Sequence, residues 1–444
     1  MRMRQRKGWS RRRQERGQTI ILVAISLISL LAMAALAIDV VTLYAARSET
    51  QRAADAAALA GAKAVADSGF TTLPTTDTNY AAAQTLAQTM ATNAVNAMLS
   101  ANPVINQVSG IQPALVGTPT ITFPASANPA NSNPQITVTL QVTTLPTFFA
   151  KIWGNRTATV TASAIAEAYN PANVQSFTQI APKGVKPWYI ANNDPGTTAL
   201  TPFITPATGA IEPGVIGKTF NLTADCAAHP RNSCTLNDSP PTAHNATNQI
   251  DYVPAQVTFN VNDICPSVAS CTEDPRYPDY QYSVQCSDVN PYPCGGSVNN
   301  TTWDKTVNPR GGNGPSALGA ECLIHAASGQ DLLQNPGPWP SDPFEFKAQS
   351  GPQSGYALTT SSSVVTIPII DPTTFQVDAP LGVTVIGFMQ AFINQVQDGT
   401  GGTNPGDINV TVLNIAACSS TPKGGNAVVG QGTSPVPVRL ITPP

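Results

Sequence analysis

The residues that could do chemistry are few, and their spacing suits no familiar reaction. The three histidines, His229, His244 and His325, stand far apart. None sits in a His-Glu-x-x-His pattern, and no two fall at helical ligand spacing. A Gly-x-Ser-x-Gly nucleophile elbow and a Walker phosphate loop are both absent from the sequence. Gly311-Gly312-Asn313-Gly314 follows Arg310 but runs straight into Pro315, so it reads as a plain loop with no helix start behind it. Glu273, Asp274 and Asp279 make a small acidic group whose spacing does not match an EF-hand. A solvated loop is the expectation there, and a calcium loop the alternative. The chain therefore reads as a non-enzyme that needs no cofactor and no metal.

The cysteines carry a different chemistry. Cys226, Cys234, Cys265, Cys271, Cys286, Cys294, Cys322 and Cys418 all lie in the second half of the chain. An even count in an exported segment reads as disulfides. Proximity suggests Cys226–Cys234, Cys265–Cys271 and Cys286–Cys294, with Cys322–Cys418 as a long-range bridge, among many possible connectivities. Zinc is the alternative, but no Cys-x-x-Cys or His-x-x-x-His spacing is present to hold it.

What would place those cysteines outside a cytoplasm is the amino-terminal leader. Arg2, Arg4, Arg6, Lys7, Arg11, Arg12, Arg13 and Arg16 stand against Glu15 alone. From Thr19 to Ile38 there is no charge: TIILVAISLISLLAMAALAI. At about 1.5 Å per residue this run is about 30 Å long as a helix, enough to cross the hydrocarbon of a bilayer. The basic cluster should stay on the cytoplasmic side, so the body after residue 40 lies beyond the membrane. Ala35-Leu36-Ala37 would also satisfy a signal-peptide cleavage site, but no Pro or Gly breaks the run before it, which favours an uncleaved anchor. Processing after Gly17, as in type IV prepilins, wants a Glu where this chain has Leu22.

The formal net charge of −3 hides this asymmetry, because the tip is basic and the remainder mildly acidic. Such a body gives no reason to expect nucleic acid as a partner. Charged residues are 11% of the chain, against about 25% in ordinary soluble domains. The composition suits an exported structural protein.

Five segments follow from the patterning. They are a basic tip (1–17), a transmembrane helix (18–40), a helical stalk with an α+β domain (41–170), a Pro- and Cys-rich region (171–355) and a β-rich end (356–444). One continuous helix is expected from about Gln18 to about Val65, its outer half rich in alanine and broken by no proline. The alanines either admit a close neighbour or simply stabilise the helix. Tyr80–Leu99 reads as a second helix with Leu86, Met90 and Val95 on one stripe. Thr118–Phe123, Gln135–Thr144 and Arg156–Ala168 read as strands, the last two alternating at period two. The Leu145–Gly154 connection between them should bury its aromatics. A long helix on an antiparallel sheet makes an α+β fold.

Residues 171–355 are dense in proline, so little regular structure is expected beyond strands at Val215–Leu222 and Gln256–Asn262. Disulfides and aromatics would hold that region together. Ser363–Ile370, Leu381–Gly387 and Ile408–Ala416 are apolar strands, Phe388–Val396 is strand or short helix, and Pro435–Ile441 ends on a strand-like piece. Asp39 is either a boundary residue reaching headgroups or a polar contact to a partner helix.

Arg16-Gly17-Gln18, Asp39, Tyr44, Arg47, Gln51 and Ala54-Asp55-Ala56-Ala57-Ala58-Leu59-Ala60-Gly61-Ala62 form one pattern around the apolar run. In this combination the chain resembles the amino-terminal domain of TadE/TadG-like proteins of the Flp (tight-adherence) pilus assembly system. The likeness extends through the Ile136–Ala168 region and is poor beyond residue 170. The Asp-x-Ser-x-Ser metal motif that some members carry is absent here. The resemblance implies a single-pass inner-membrane protein with a pilin-like α+β domain and its body in the periplasm or outside the cell. It would organise a pilus or related secretion apparatus rather than catalyse. Asp39, Arg47, Gln51 and Asp55 are the expected partner contacts. The partners would be membrane lipid and other pilus-assembly proteins or pseudopilins. A secreted or surface-attached adhesin with a cleaved leader is the alternative function.

Overall fold

The fold comes from a computed structural model. It describes residues 11–71, 73, 75–101, 113–123, 133–147, 149–154, 157–168, 178–180, 184–207, 209–225, 240–257, 274–286, 292–294, 301–311, 313–324, 331–334, 338–349, 354–358, 361–378, 380–397, 405–418 and 438–441. The chain divides into two compact units. One comprises Met1–Ala56, Ala97–Thr118 and Val138–Ala164, and the other Ala57–Asn96, Pro119–Thr137 and Ile165–Pro444. The basic residues Arg2 to Lys7 lie outside the described residues.

Helix α1 runs unbroken from Arg11 to Asp67, as the absence of proline and the alanine content require. Its apolar stretch exposes large side chains at consecutive positions, from Ile20, Ile21, Leu22 and Val23 to Leu30 and Leu31, and so on every face. From Asp39 onward the same helix buries a stripe: Ala46, Thr50, Ala53, Ala54, Ala57, Ala58, Ala62 and Ala66. The small residues therefore serve close packing and not helix propensity alone. Gly61 shows how close: a Cβ there would stand 2.4 Å from the Ile136 Cδ1 atom and 3.0 Å from Val95. Helix α2, Tyr80–Ala101, contributes Ala83, Leu86, Ala87, Ala91, Val95 and Leu99 on one buried stripe.

Four strands follow: β1 Ala114–Leu115, β2 Thr120–Thr122, β3 Gln135–Pro146 and β4 Thr157–Ala168. Strands β1 and β2 both pair antiparallel with β3, which lies beside β4. The period-two reading holds. Ile136, Val138, Leu140 and Val142 are buried on β3, and Val160, Ala162, Ala164 and Ala166 on β4. Val142, Leu145 and Val160 pack with Ala46 and Leu43 of α1.

The prolines of 171–355 do not prevent a sheet. Strands β5 Trp188–Ala191, β6 Thr219–Ala224, β7 Ala243–His244 and β8 Gln249–Pro254 arise there, with β9 Val364–Ile370, β10 Val385–Val396 and β11 Ile408–Ala417 from further along. Their order is β7-β8-β5-β9-β10-β11-β6, and β6 also pairs parallel with β8. Six strands thus close on themselves into a barrel, with β7 on the start of β8. Closure leaves the ladder without free edges. Register shifts between Gln390 and Ala391, and between Ile393 and Gln395, supply the bends that closure needs. Every residue of β9 is buried, which means both of its faces are covered. That explains its continuous apolar run in place of alternation. The ambiguous Phe388–Val396 stretch is strand, completing β10. A last strand, β12 Val438–Ile441, pairs antiparallel with Ile165–Ala168 of β4.

Three expectations need correction. The strand near 215–222 begins only at Thr219, because Val215–Lys218 forms a turn with Gly217 at φ 86°. Gln256 and Val257 are not strand; the strand there is β8, which ends at Pro254, and 258–262 lie outside the described residues. The glycine run before Pro315 does open a helix: α4, Pro315–Ile324. Proline fits a first helical turn because the N–H it lacks would have no partner there. Helix α3, Pro278–Gln285, starts on proline in the same way. The two helices cross closely at Gly319, where a Cβ would meet the Gln281 carbonyl at 2.9 Å and Val284 at 2.8 Å.

Cys286, Cys322 and Cys418 are buried, and no described cysteine is free. No disulfide pairing is established for them. Cys226, Cys234, Cys265, Cys271 and the Cys294 side chain lie outside the described residues.

Candidate functional site

The residues singled out along α1 meet the sheet at successive turns. Asp39 is 4% exposed. Its carboxylate accepts the Phe149 N–H at 3.0 Å and the Ala150 N–H at 2.6 Å. These amides open a short 3-10 helix, Ala150–Trp153, whose N-cap residue, Phe149, makes no side-chain cap of its own. Asp39 therefore caps it from across the chain. A carboxylate suits free N–H groups at a helix start for reasons of both charge and geometry. Gly154 closes the turn at φ 94°, a conformation glycine adopts without strain.

Three turns along α1, the Gln51 side-chain amide donates to Asp55 at 2.8 Å and to the Ser163 carbonyl of β4 at 3.0 Å. Gln51 and Asp55 thus act together, tying helix to strand. Arg47 stands apart from them and is exposed. With Val40, Leu43 and Tyr44 it lines one wall of a groove of about 300 Å³, whose other wall is Thr159, Val160 and Thr161 of β4. These four helix positions share one face by their spacing. Tyr44 is 69% exposed.

Residues 17–64 match the Tad family, Flp pilus-assembly TadE/G-like. The Tad segment thus spans the apolar run, the Asp39 cap, the groove wall and the Gln51–Asp55 tie, and ends where α1 packs at Gly61. A pilus-assembly family is structural rather than catalytic. No curated protein and no solved structure matches the chain. By length and composition the Tad segment's helix is the one described helix able to cross a membrane: its apolar window has mean hydropathy 2.8 and is 6% buried.

The other chemistry-bearing residues stay separate from this site. His244 Nε2 lies 2.8 Å from Asp251 Oδ2 between β7 and β8. Burial pushes the Asp251 carboxyl above the usual range, and the histidine opposes that shift. Asp274 accepts both side-chain contacts of Arg276, at 2.9 and 2.8 Å, and the Arg276 N–H as well. The guanidinium hydrogen bond holds its pKa below the ordinary value, against burial. That carboxylate serves an arginine rather than presenting oxygens to an ion. His229, His325 and Glu273 lie outside the described residues. Among the described residues no three His, Cys, Asp or Glu side chains assemble around a common point.

The functional element that patterning underrated is the Thr147–Gly154 segment. Its residues read as a simple connection. Its role depends on Asp39, 110 positions away, and no local signal announces that pairing.

Proposed function

We propose that this protein is a membrane-anchored structural component of a Flp (Tad) pilus or a related secretion apparatus, of the TadG-like kind. The observation that carries the reading is the change of character within a single helix. Thr19–Ile38 is apolar on all faces and unburied, whereas the same rod from Asp39 on is packed into the body. The match of residues 17–64 to a pilus-assembly family supports the assembly role. The basic leader favours a cytoplasmic tip, which puts the helix through the inner membrane once and the body in the periplasm or beyond. In that compartment the eight cysteines would pair as disulfides, a reading supported by the lack of a free thiol among those described. Its partners are membrane lipid and other pilus-assembly proteins or pseudopilins, reached through the outer face of α1 near Arg47.

The test is fractionation of cells expressing the full chain. The protein should resist alkaline extraction, float with inner membranes, and expose its body to protease only after the outer membrane is opened. A mature protein beginning at Ile38, read by mass, would defeat the anchor and select a secreted binding module instead.

A further inference from the structure

Strand β4 has an open side. It lies between β3 and β12, but β12 covers only Ile165–Ala168. Among the described residues no strand pairs with Thr157–Ala164 on the side away from β3. Alternation shows which groups stand there. The Ala168 N–H donates on the β3 side, to the Pro134 carbonyl at 3.0 Å. Residues of the other parity, Thr157, Thr159, Thr161 and Ser163, therefore turn their N–H and C=O groups outward. The Ser163 carbonyl accordingly accepts the Gln51 amide at 3.0 Å. Protected edges carry proline, lysine or other charges, and Thr157–Ala166 (TATVTASAIA) has none of these. The groove beside α1 runs along this side. Its strand wall is Thr159, Val160 and Thr161, with no β3 residue, and its helix wall is Val40, Leu43, Tyr44 and Arg47. No carboxylate lines it, and Arg47 forms no ion pair among the described residues.

We propose that this edge takes a β-strand from another protein of the envelope. The incoming segment is extended, bonds its main chain to Thr159 and Thr161, places apolar side chains at alternate positions in the groove, and sets a carboxylate against Arg47. The open ladder calls for a main chain, because neither a lipid tail nor a helix, whose own amides are already bonded, satisfies it. The cation, with no acid beside it, calls for an acidic segment. A second copy's β4 is excluded by direction. Leu43 and Ala46 pack with Val160, and Gln51, further along α1, reaches Ser163, further along β4, so helix and strand run the same way. Two identical edges pair antiparallel about a two-fold axis. That pairing points the two α1 helices in opposite directions, and both could not then enter one bilayer from the same side. The proposal rests on the anchored assembly role under Proposed function, and gives its partner a mode of attachment.

The test is hydrogen exchange at Thr157–Ala164, read by mass spectrometry on the full chain. Native membranes from cells that make the protein are compared with vesicles of phosphatidylcholine and phosphatidylglycerol holding the purified chain alone. Retention in the native membranes after an alkaline wash is read first, and protein lost in the wash overturns the anchor and this proposal together. In retained protein, the outward amides should exchange slower by about tenfold or more in native membranes than in the vesicles. Fast exchange in both samples overturns the strand and leaves the anchor standing. Slow exchange in both overturns it too, because lipid or a second copy then covers the edge. Thr161→Pro removes an outward N–H and should abolish the slowing at Thr159 and Ser163, whereas Thr161→Ala should keep it. Slowing that survives the proline means cover by side chains rather than a ladder, and overturns the strand. Arg47→Glu changes an exposed helix position, so it reads the contact whatever the proline does to folding. It should remove most of the slowing, and Arg47→Lys should retain it. Slowing indifferent to the charge reversal overturns the acidic partner.

Discussion

At the scale of single residues, the polar groups with most at stake are those that hold distant segments. The Asp39 carboxylate is buried and satisfied by backbone amides, so truncating it leaves those N–H groups without an acceptor. Asp39→Ala should destabilise the protein by about 1–3 kcal/mol in urea denaturation, and Asp39→Asn by less, because an amide oxygen still accepts. Asp274 allows a prediction in pH. Its pKa lies below the ordinary 3.8, chiefly through the Arg276 hydrogen bond. Its contribution is then fully present above about pH 4 and fades as pH falls through the lowered folded value. Stability measured from pH 6 downward should drop less steeply in Asp274→Asn than in the parent. Parallel curves would show that the pair contributes nothing.

At the scale of elements, close packing is set by small residues. Gly319 lets α4 lie on α3, and the nearest obstacles to a Cβ are a backbone carbonyl and the root of Val284, neither of which can swing aside. Gly319→Ala should therefore lower the melting temperature, at a cost of about 1–3 kcal/mol, even though alanine is the better helix former. Unchanged melting would mean the helices separate easily. The contrast with Gly61 is instructive, since there the obstacle is the tip of a flexible isoleucine. Much at this level was legible beforehand. The far end of α1 and the limits of α2, β3 and β4 follow from proline positions, alanine content and period-two alternation, all of which are local, whereas α1 begins at Arg11, seven residues before the expected Gln18. Strand β5 was not legible and β6 only in part, because both are short and are held by pairing with strands over a hundred residues away.

At the scale of the molecule, the question is what holds a chain so poor in charge and so rich in proline. Barrel closure is one part, since each of its six strands β5, β6 and β8–β11 pairs on both sides within the ring. Disulfides are the proposed other part. Thiol titration of the denatured, unreduced protein should then find no reactive cysteine among the eight. Reduction should lower stability by about 2–5 kcal/mol for a structural bridge. Free thiols in purified protein would place the body in a reducing compartment and remove the argument for export.

Sequence alone determined the rod: an uncharged run behind a basic cluster, passing without a break into an alanine face, is a matter of neighbours along the chain, and local sterics and hydropathy suffice to build it. Tertiary structure alone decided that Asp39 caps a turn 110 residues away, and that strands on either side of residue 355 share one barrel. Both depend on groups brought together from far apart. Where the fold covers both faces of a strand, the alternation that would have announced the strand is erased.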